Sequence, residues 1–277
     1  MKRLIVSAGL FSLMTMLFSF SGHVTSPTAK TIQQIMARIN DSLYACKYEV
    51  SNIEYRNFLA DLKTKDATLA EKFKIDSTKW NRGSMEQYYH LHPAFNEFPV
   101  VNVRYEAAIA YCHWLTEKYN SDPKRKFEKV KFILPTEQEW IEAANSGIKN
   151  RMYPWGSYYM RNKNGEFLCN FKHVSDAFIV SDESGKPLIN EVGIEKMTSD
   201  RNNNAFYTTN VKTFWPNKFG LYNMSGNVAE MTIEQGLTKG GSWNSYGGEV
   251  TIQTKKIFRE ASPEVGFRVF MKIIDNR

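Results

Sequence analysis

N-K-F-G-L-Y-N-M-S-G-N-V-A-E, residues Asn217 to Glu230, is an unusual loop. Gly220 and Gly226 permit backbone torsions that other residues resist, so carbonyls can turn inward instead of joining a regular ladder. Around them Asn223, Ser225, Asn227 and Glu230 are interleaved with the apolar Leu221, Tyr222, Met224 and Val228. That pattern favours a compact turn holding a cation. A hard ion such as calcium takes about 6 to 8 oxygens from carboxylates, amide side chains and carbonyls. Asn223 and Glu230 offer side-chain oxygens, with the carbonyls of Gly226 and Val228 between them. The competing reading is a glycine-containing turn that leads into a buried segment, since the alternating acids of an EF-hand are absent.

Six further blocks surround this stretch. Upstream are K-Y-E-V-S-N-I-E-Y-R-N-F-L (Lys47 to Leu59), F-P-V-V-N-V-R-Y-E-A-A-I-A-Y-C-H-W-L (Phe98 to Leu115), F-I-L-P-T-E-Q-E-W (Phe132 to Trp140) and Y-P-W-G (Tyr153 to Gly156). Downstream are K-G-G-S-W (Lys239 to Trp243) and V-G-F-R-V (Val265 to Val269). In this order they resemble the sulfatase-modifying-factor family, founded by the formylglycine-generating enzyme, over residues 43 to 272. The resemblance implies an α+β fold with much irregular structure, similar to C-type lectin domains. It also implies two calcium sites. Asn223, Gly226, Val228 and Glu230 occupy all four ligand positions of one, as a structural ion. The other falls on Asn170, Phe171, Asn203 and Ala205, where an asparagine at 203 replaces the family's aspartate and weakens the electrostatics.

The chemistry turns on two positions. Catalytic members carry two cysteines, five residues apart, that bind copper and oxidise a substrate cysteine; here they are Ser245 and Val250. A hydroxyl and an isopropyl group cannot replace soft thiolates. No cysteine follows Cys169, and the family's Trp-Glu-Trp is Ala229-Glu230-Met231. Ser242 matches an active-site serine of the family, but a serine without a partner base is more often structural. Iron-dependent relatives rely on a separate histidine-rich helical domain, which this sequence lacks. The resemblance therefore implies a non-catalytic member: no catalytic residues, no copper, and a binding or scaffold role with a protein partner at the groove left by the lost site. His92-Pro93-Ala94-Phe95 before Phe98-Pro99-Val100-Val101 looks like the secretion and gliding-motility relatives of Bacteroidetes. The alternatives are an enzyme using another metal or nucleophile in that groove, and a carbohydrate-binding module.

Outside these blocks, Met1 to Ser21 reads as a signal peptide: Lys2 and Arg3, an uncharged run from Leu4 to Phe20, and the small-x-small site Ser19-Phe20-Ser21. A retained membrane anchor is the other reading. Removal implies a periplasmic or secreted protein that begins near Gly22, with a lead-in over 22 to 42 and the domain over 43 to 275. The formal charge is +7 with acids interspersed, and the one short basic cluster is Lys124, Arg125 and Lys126, so nucleic acid is a poor partner. Three cysteines, Cys46, Cys112 and Cys169, leave at least one unpaired and show no zinc spacing. His90 and His92 stand two residues apart beside Pro93, which fits a structural role better than metal ligation.

Local patterns predict a helix over Thr31 to Asn40, a strand over Cys46 to Val50, and over 64 to 97 an irregular, surface-lying segment with room for one short helix. Ser51 with Glu54, and Thr136 with Glu139, form capping boxes that start helices, and Tyr105 to Tyr119 is a helix between them. Capping explains Glu137 and Glu139 more simply than paired catalytic carboxylates do.

Overall fold

The computed structural model describes residues 26–80, 83–173, 179–189 and 207–275. Both capping boxes form as the sequence predicts. Ser51 and Glu54 close the start of α2 (Asn52–Lys65), and Thr136 and Glu139 that of α6 (Glu137–Asn145). Each box satisfies amides that the first helical turn leaves without intrahelical partners. α5 (Tyr105–Ser121) buries Ala108, Tyr111, Cys112 and Leu115 against α2 and the strand β3 (Lys129–Ile133).

Three expectations shift. The predicted helix over Thr31 to Asn40 is α1 (Ala29–Ile35), which gives way to the strand β1 (Met36–Arg38). Helical periodicity continues through Met36 and Ile39, but pairing of Met36 with Cys46 and Arg38 with Tyr44 overrides it. The strand expected at Cys46 to Val50 is β2 (Leu43–Cys46), displaced upstream by that same pairing. The segment over 64 to 97 contains α3 (Ala67–Lys72) and α4 (Gly83–Tyr88), helices too short for a clear apolar period.

Two small sheets carry the molecule. The first runs β1-β2-β10-β3, with β10 (Phe270–Asp275) inserted between β2 and β3, so the end of the chain closes a sheet begun by the lead-in. The second runs β8-β7-β6-β9: Lys255–Ile257, Leu237–Lys239, Ala229–Met231 and Val265–Gly266. β6 and β9 are parallel, the other pairs antiparallel. A separate hairpin pairs β4 (Ile179–Ser181) with β5 (Pro187–Ile189). Aromatic rings fill the main core, where Tyr55, Phe58, Tyr111, Trp114 and Phe267 meet edge to face, tilted or stacked. The 217–230 stretch lies between the sheets, its start under α6 and its end entering β6.

Candidate functional site

The stretch folds back on itself because four residues hold left-handed torsions: Gly220 at φ 83°, Asn223 at 53°, Gly226 at 74° and Asn227 at 61°. Asparagine tolerates that region better than other side-chain residues. Gly226 is required for a second reason, since a Cβ there would lie 2.1 Å from the Asn170 carbonyl oxygen. Asn227 N–H donates to the same carbonyl, fastening the stretch to the 170 region.

A buried polar knot results. Glu230 accepts from Arg268 through Nε at 3.1 Å and Nη2 at 2.6 Å, and from Trp140 Nε1 at 2.8 Å. Arg268 also donates to the carbonyls of Cys46, through Nη1, and Tyr222, through Nη2. Both members of the pair are essentially without solvent contact. Beside them stands Glu49, fully buried, which accepts from Asn223 Nδ2 at 3.1 Å and Asn227 Nδ2 at 2.8 Å. Burial pushes the Glu49 carboxyl up to about 7, against the pull of nearby Arg268. Asn223 Nδ2 also reaches the Val211 carbonyl, while its Oδ1 is buried without a partner.

These contacts test whether the residues fit an ion. An orphaned, buried amide oxygen is what an oxygen-seeking cation would complete. Glu230 fits less well, because four short contacts from Arg268 and Trp140 already use its lone pairs and Arg268 neutralises its charge. The carboxylate in contact with Asn223 is Glu49, a residue that sequence reasoning missed. Its only signal was an acid set between Tyr48 and Val50 where a strand was expected. The other expected set is not assembled among the described residues: Asn203 and Ala205 lie outside them, and Asn170 donates its amide to the Tyr207 carbonyl. Phe171 packs edge to face on Phe167.

The positions of the family's thiols sit beyond β7. Gly241, at φ 67°, turns the chain so tightly that a Cβ would meet the Glu249 carbonyl and Val250 Cγ1 at 2.8 Å. Val250 is fully buried with Tyr153 and Cys169. Ser245 Oγ accepts from the Ser242 amide at 3.0 Å and lies 3.4 Å from Lys256 Nζ. Ser242 Oγ donates to Glu264 at 2.8 Å, and Asn244 donates to the other Glu264 oxygen at 2.9 Å. Both serines border a groove of about 480 Å³ whose far side is 258–264. The three cysteines are free and buried; burial pushes Cys46 up to about 12 and raises Cys112 and Cys169 further. Such thiols stay protonated and inert at neutral pH.

The histidines serve the fold. His90 accepts from Trp80 Nε1 at 3.1 Å and meets Asn52 Oδ1 through Nδ1; burial, with Arg56 nearby, pushes its pKa down to about 3. His92 caps the short helix after it by accepting from the Ala94 amide. Glu137 holds Lys239 and Lys255, each at 3.2 Å. Among the described residues no helix is long and apolar enough to cross a membrane.

Comparison with known proteins agrees with the blocks of sequence. Residues 4–273 match the model of the sulfatase-modifying factor enzyme 1-like domain. The inactive C-alpha-formylglycine-generating enzyme 2 of Bos taurus is 28% identical over 189 residues, covering 62% of this chain and 50% of that protein. The formylglycine-generating enzyme of Mus musculus is 27% identical over 221 residues, covering 70% and 49%. The matches thus span about half the length of these curated relatives. Among solved structures, Treponema denticola variable protein 1 aligns with a TM-score of 0.53 at 17% identity, covering 86% of this chain and 91% of that one. PvdO from Pseudomonas aeruginosa aligns at 0.53 and 18%, covering 83% and 80%. The likeness in fold and the match along nearly the whole sequence place this chain in the sulfatase-modifying-factor family of formylglycine-generating enzyme-like domains.

Proposed function

We propose that this protein is an exported, non-catalytic member of the family that works by binding a protein partner across the groove beside Ser242 and Ser245. The observation that carries the reading is the state of the two thiol positions. Ser245 is held in a hydroxyl and amide network, and Val250 is sealed in an apolar cluster beneath the turn. A reaction that runs through a pair of thiolates has neither of them here. Two of the similar mammalian proteins are themselves named inactive. The groove remains as an open, mixed polar and apolar surface, which suits recognition.

Export, with a site of action in the periplasm or at the outer membrane and a role in secretion or gliding machinery, rests on the leader-like residues 1 to 21 and the 92–101 stretch. Calcium belongs to the same proposal: Asn223 Oδ1 and the carbonyls of Gly226 and Val228 would hold the ion, with Glu49 as the neighbouring negative charge. The ion would fasten the 217–230 loop and take no part in chemistry.

The test pairs two measurements on the purified protein. Copper(I) titration with a competing chelator, and oxygen uptake with a cysteine-containing peptide, should both give the blank value. Stoichiometric copper with oxygen consumption would favour the enzyme reading instead. Calcium should raise the melting temperature of the wild type and do so less for Asn223→Ala; an identical response would remove the ion from that loop.

A further inference from the structure

β8 is the outer strand of its sheet, and its geometry leaves half of its backbone unused. The register sets Ile257 opposite Leu237 and Lys256 opposite Thr238, and the Phe258 amide donates to the Gly236 carbonyl at 2.8 Å. In an antiparallel pair, successive residues direct their N–H and C=O groups to alternate sides. Lys256 and Phe258 therefore face β7, whereas Lys255 and Ile257 direct their N–H and C=O groups outward. No described strand covers that side. Ile257 is 73% exposed, so nothing described shields this side of the strand.

Charge narrows what could cover it. Lys255 and Lys256 lie on the strand itself, and Arg259 follows two residues beyond it at the groove. Among the described residues, the Arg259 guanidinium makes no hydrogen bond or ion pair, while neighbouring Lys79, Lys255 and Lys256 are matched to Glu260, Glu137 and Glu249. Lysines on a short edge oppose the pairing of two copies, because a second β8 laid on the first would bring like charges together. Arg259, which unlike the two lysines has no carboxylate of its own among the described residues, favours a carboxylate on an incoming strand. We propose that the β8 edge docks an extended, carboxylate-bearing segment of a partner protein, which pairs with the backbone of Lys255 and Ile257 and sets an acidic side chain on Arg259. The proposal rests on the binding reading given above and specifies how the partner is held.

The probe is a library of displayed twelve-residue peptides selected against the full protein. Recovered sequences should be β-prone and acidic, and binding should protect the Ile257 amide from hydrogen exchange. Ile257→Pro removes an outward N–H that β7 does not use, and Arg259→Glu reverses the charge; each should weaken the selected peptides about tenfold, some 1.4 kcal/mol. Lysine in place of the peptide's acid should restore binding to the Arg259→Glu protein, a readout that does not depend on the proline variant folding. Peptides without acidic enrichment, or with wild-type affinity for both variants, would overturn the proposal. If Ala261→Trp, across the groove, abolishes binding while the edge variants do not, the groove reading stands and the edge is wrong. If none of the three matters, both fail.

Discussion

The buried knot and the groove face opposite ways along the same short sheet, and they have been treated differently. In the knot, Glu230 is answered by Arg268 and Trp140, and Glu49 by two asparagine amides. In the groove, Ser242 and Ser245 fill positions beside a tight glycine turn, with Glu264 and Lys256 at the rim. The difference teaches where this fold stores its stability. Removing one partner from a buried charge pair leaves the other uncompensated in a low-dielectric interior, whereas rim contacts remain accessible to water. Substitutions in the groove should therefore cost little stability, whereas removing one partner from the knot should cost much.

The sharpest way to break that contrast is Arg268→Met, which strands Glu230. It should cost about 3–5 kcal/mol in denaturant unfolding, and a loss below about 1 kcal/mol would deny the knot its role. Glu230→Ala should lower the melting temperature with or without calcium, because Arg268 loses its counterion in either case. Gly226→Ala comes next. The new methyl would meet the Asn170 carbonyl, and a left-handed torsion adds strain, so about 2–4 kcal/mol is expected with a shift of the 170 backbone in a crystal structure.

Glu49 gives a pH-dependent effect of middling size. Its pKa is raised when folded, from 4.5 to about 7, so the folded state binds the proton more tightly than the unfolded chain does. The contribution is fully present below pH 4.5 and is lost as pH rises through about 7. In calcium-free buffer, wild-type stability should carry a falling component of up to about 1.4 kcal/mol per pH unit across that window, absent in Glu49→Gln. An unchanged profile in the variant would show that the carboxyl does not titrate there. The smallest effect is expected from Ser242→Ala in the groove. It should cost about 1 kcal/mol or less, since Glu264 keeps its Asn244 donor and reaches solvent. A cost like that of Arg268→Met would erase the distinction between the regions.

What the sequence revealed follows the range of the interactions. Capping boxes at Ser51 and Thr136 are three-residue patterns and were legible. The order of seven blocks identified the fold because such blocks carry its turns and core positions together. Glu49 was not legible as part of the site, since its amide partners are 174 and 178 residues away. Arg268 stands inside the apolar run V-G-F-R-V, and a cation so placed is a signal that a buried acid awaits it, but nothing local names Glu230 as that acid. Met36 was read as helix because periodicity cannot see the strand that claims it from ten residues downstream.

The central claim is that an inherited scaffold persists here without its thiol chemistry. The most direct measurement incubates the purified full-length protein with copper, oxygen and a cysteine-bearing peptide and weighs the peptide by mass spectrometry. The account predicts an unchanged cysteine mass. Conversion of that side chain to an aldehyde would contradict it.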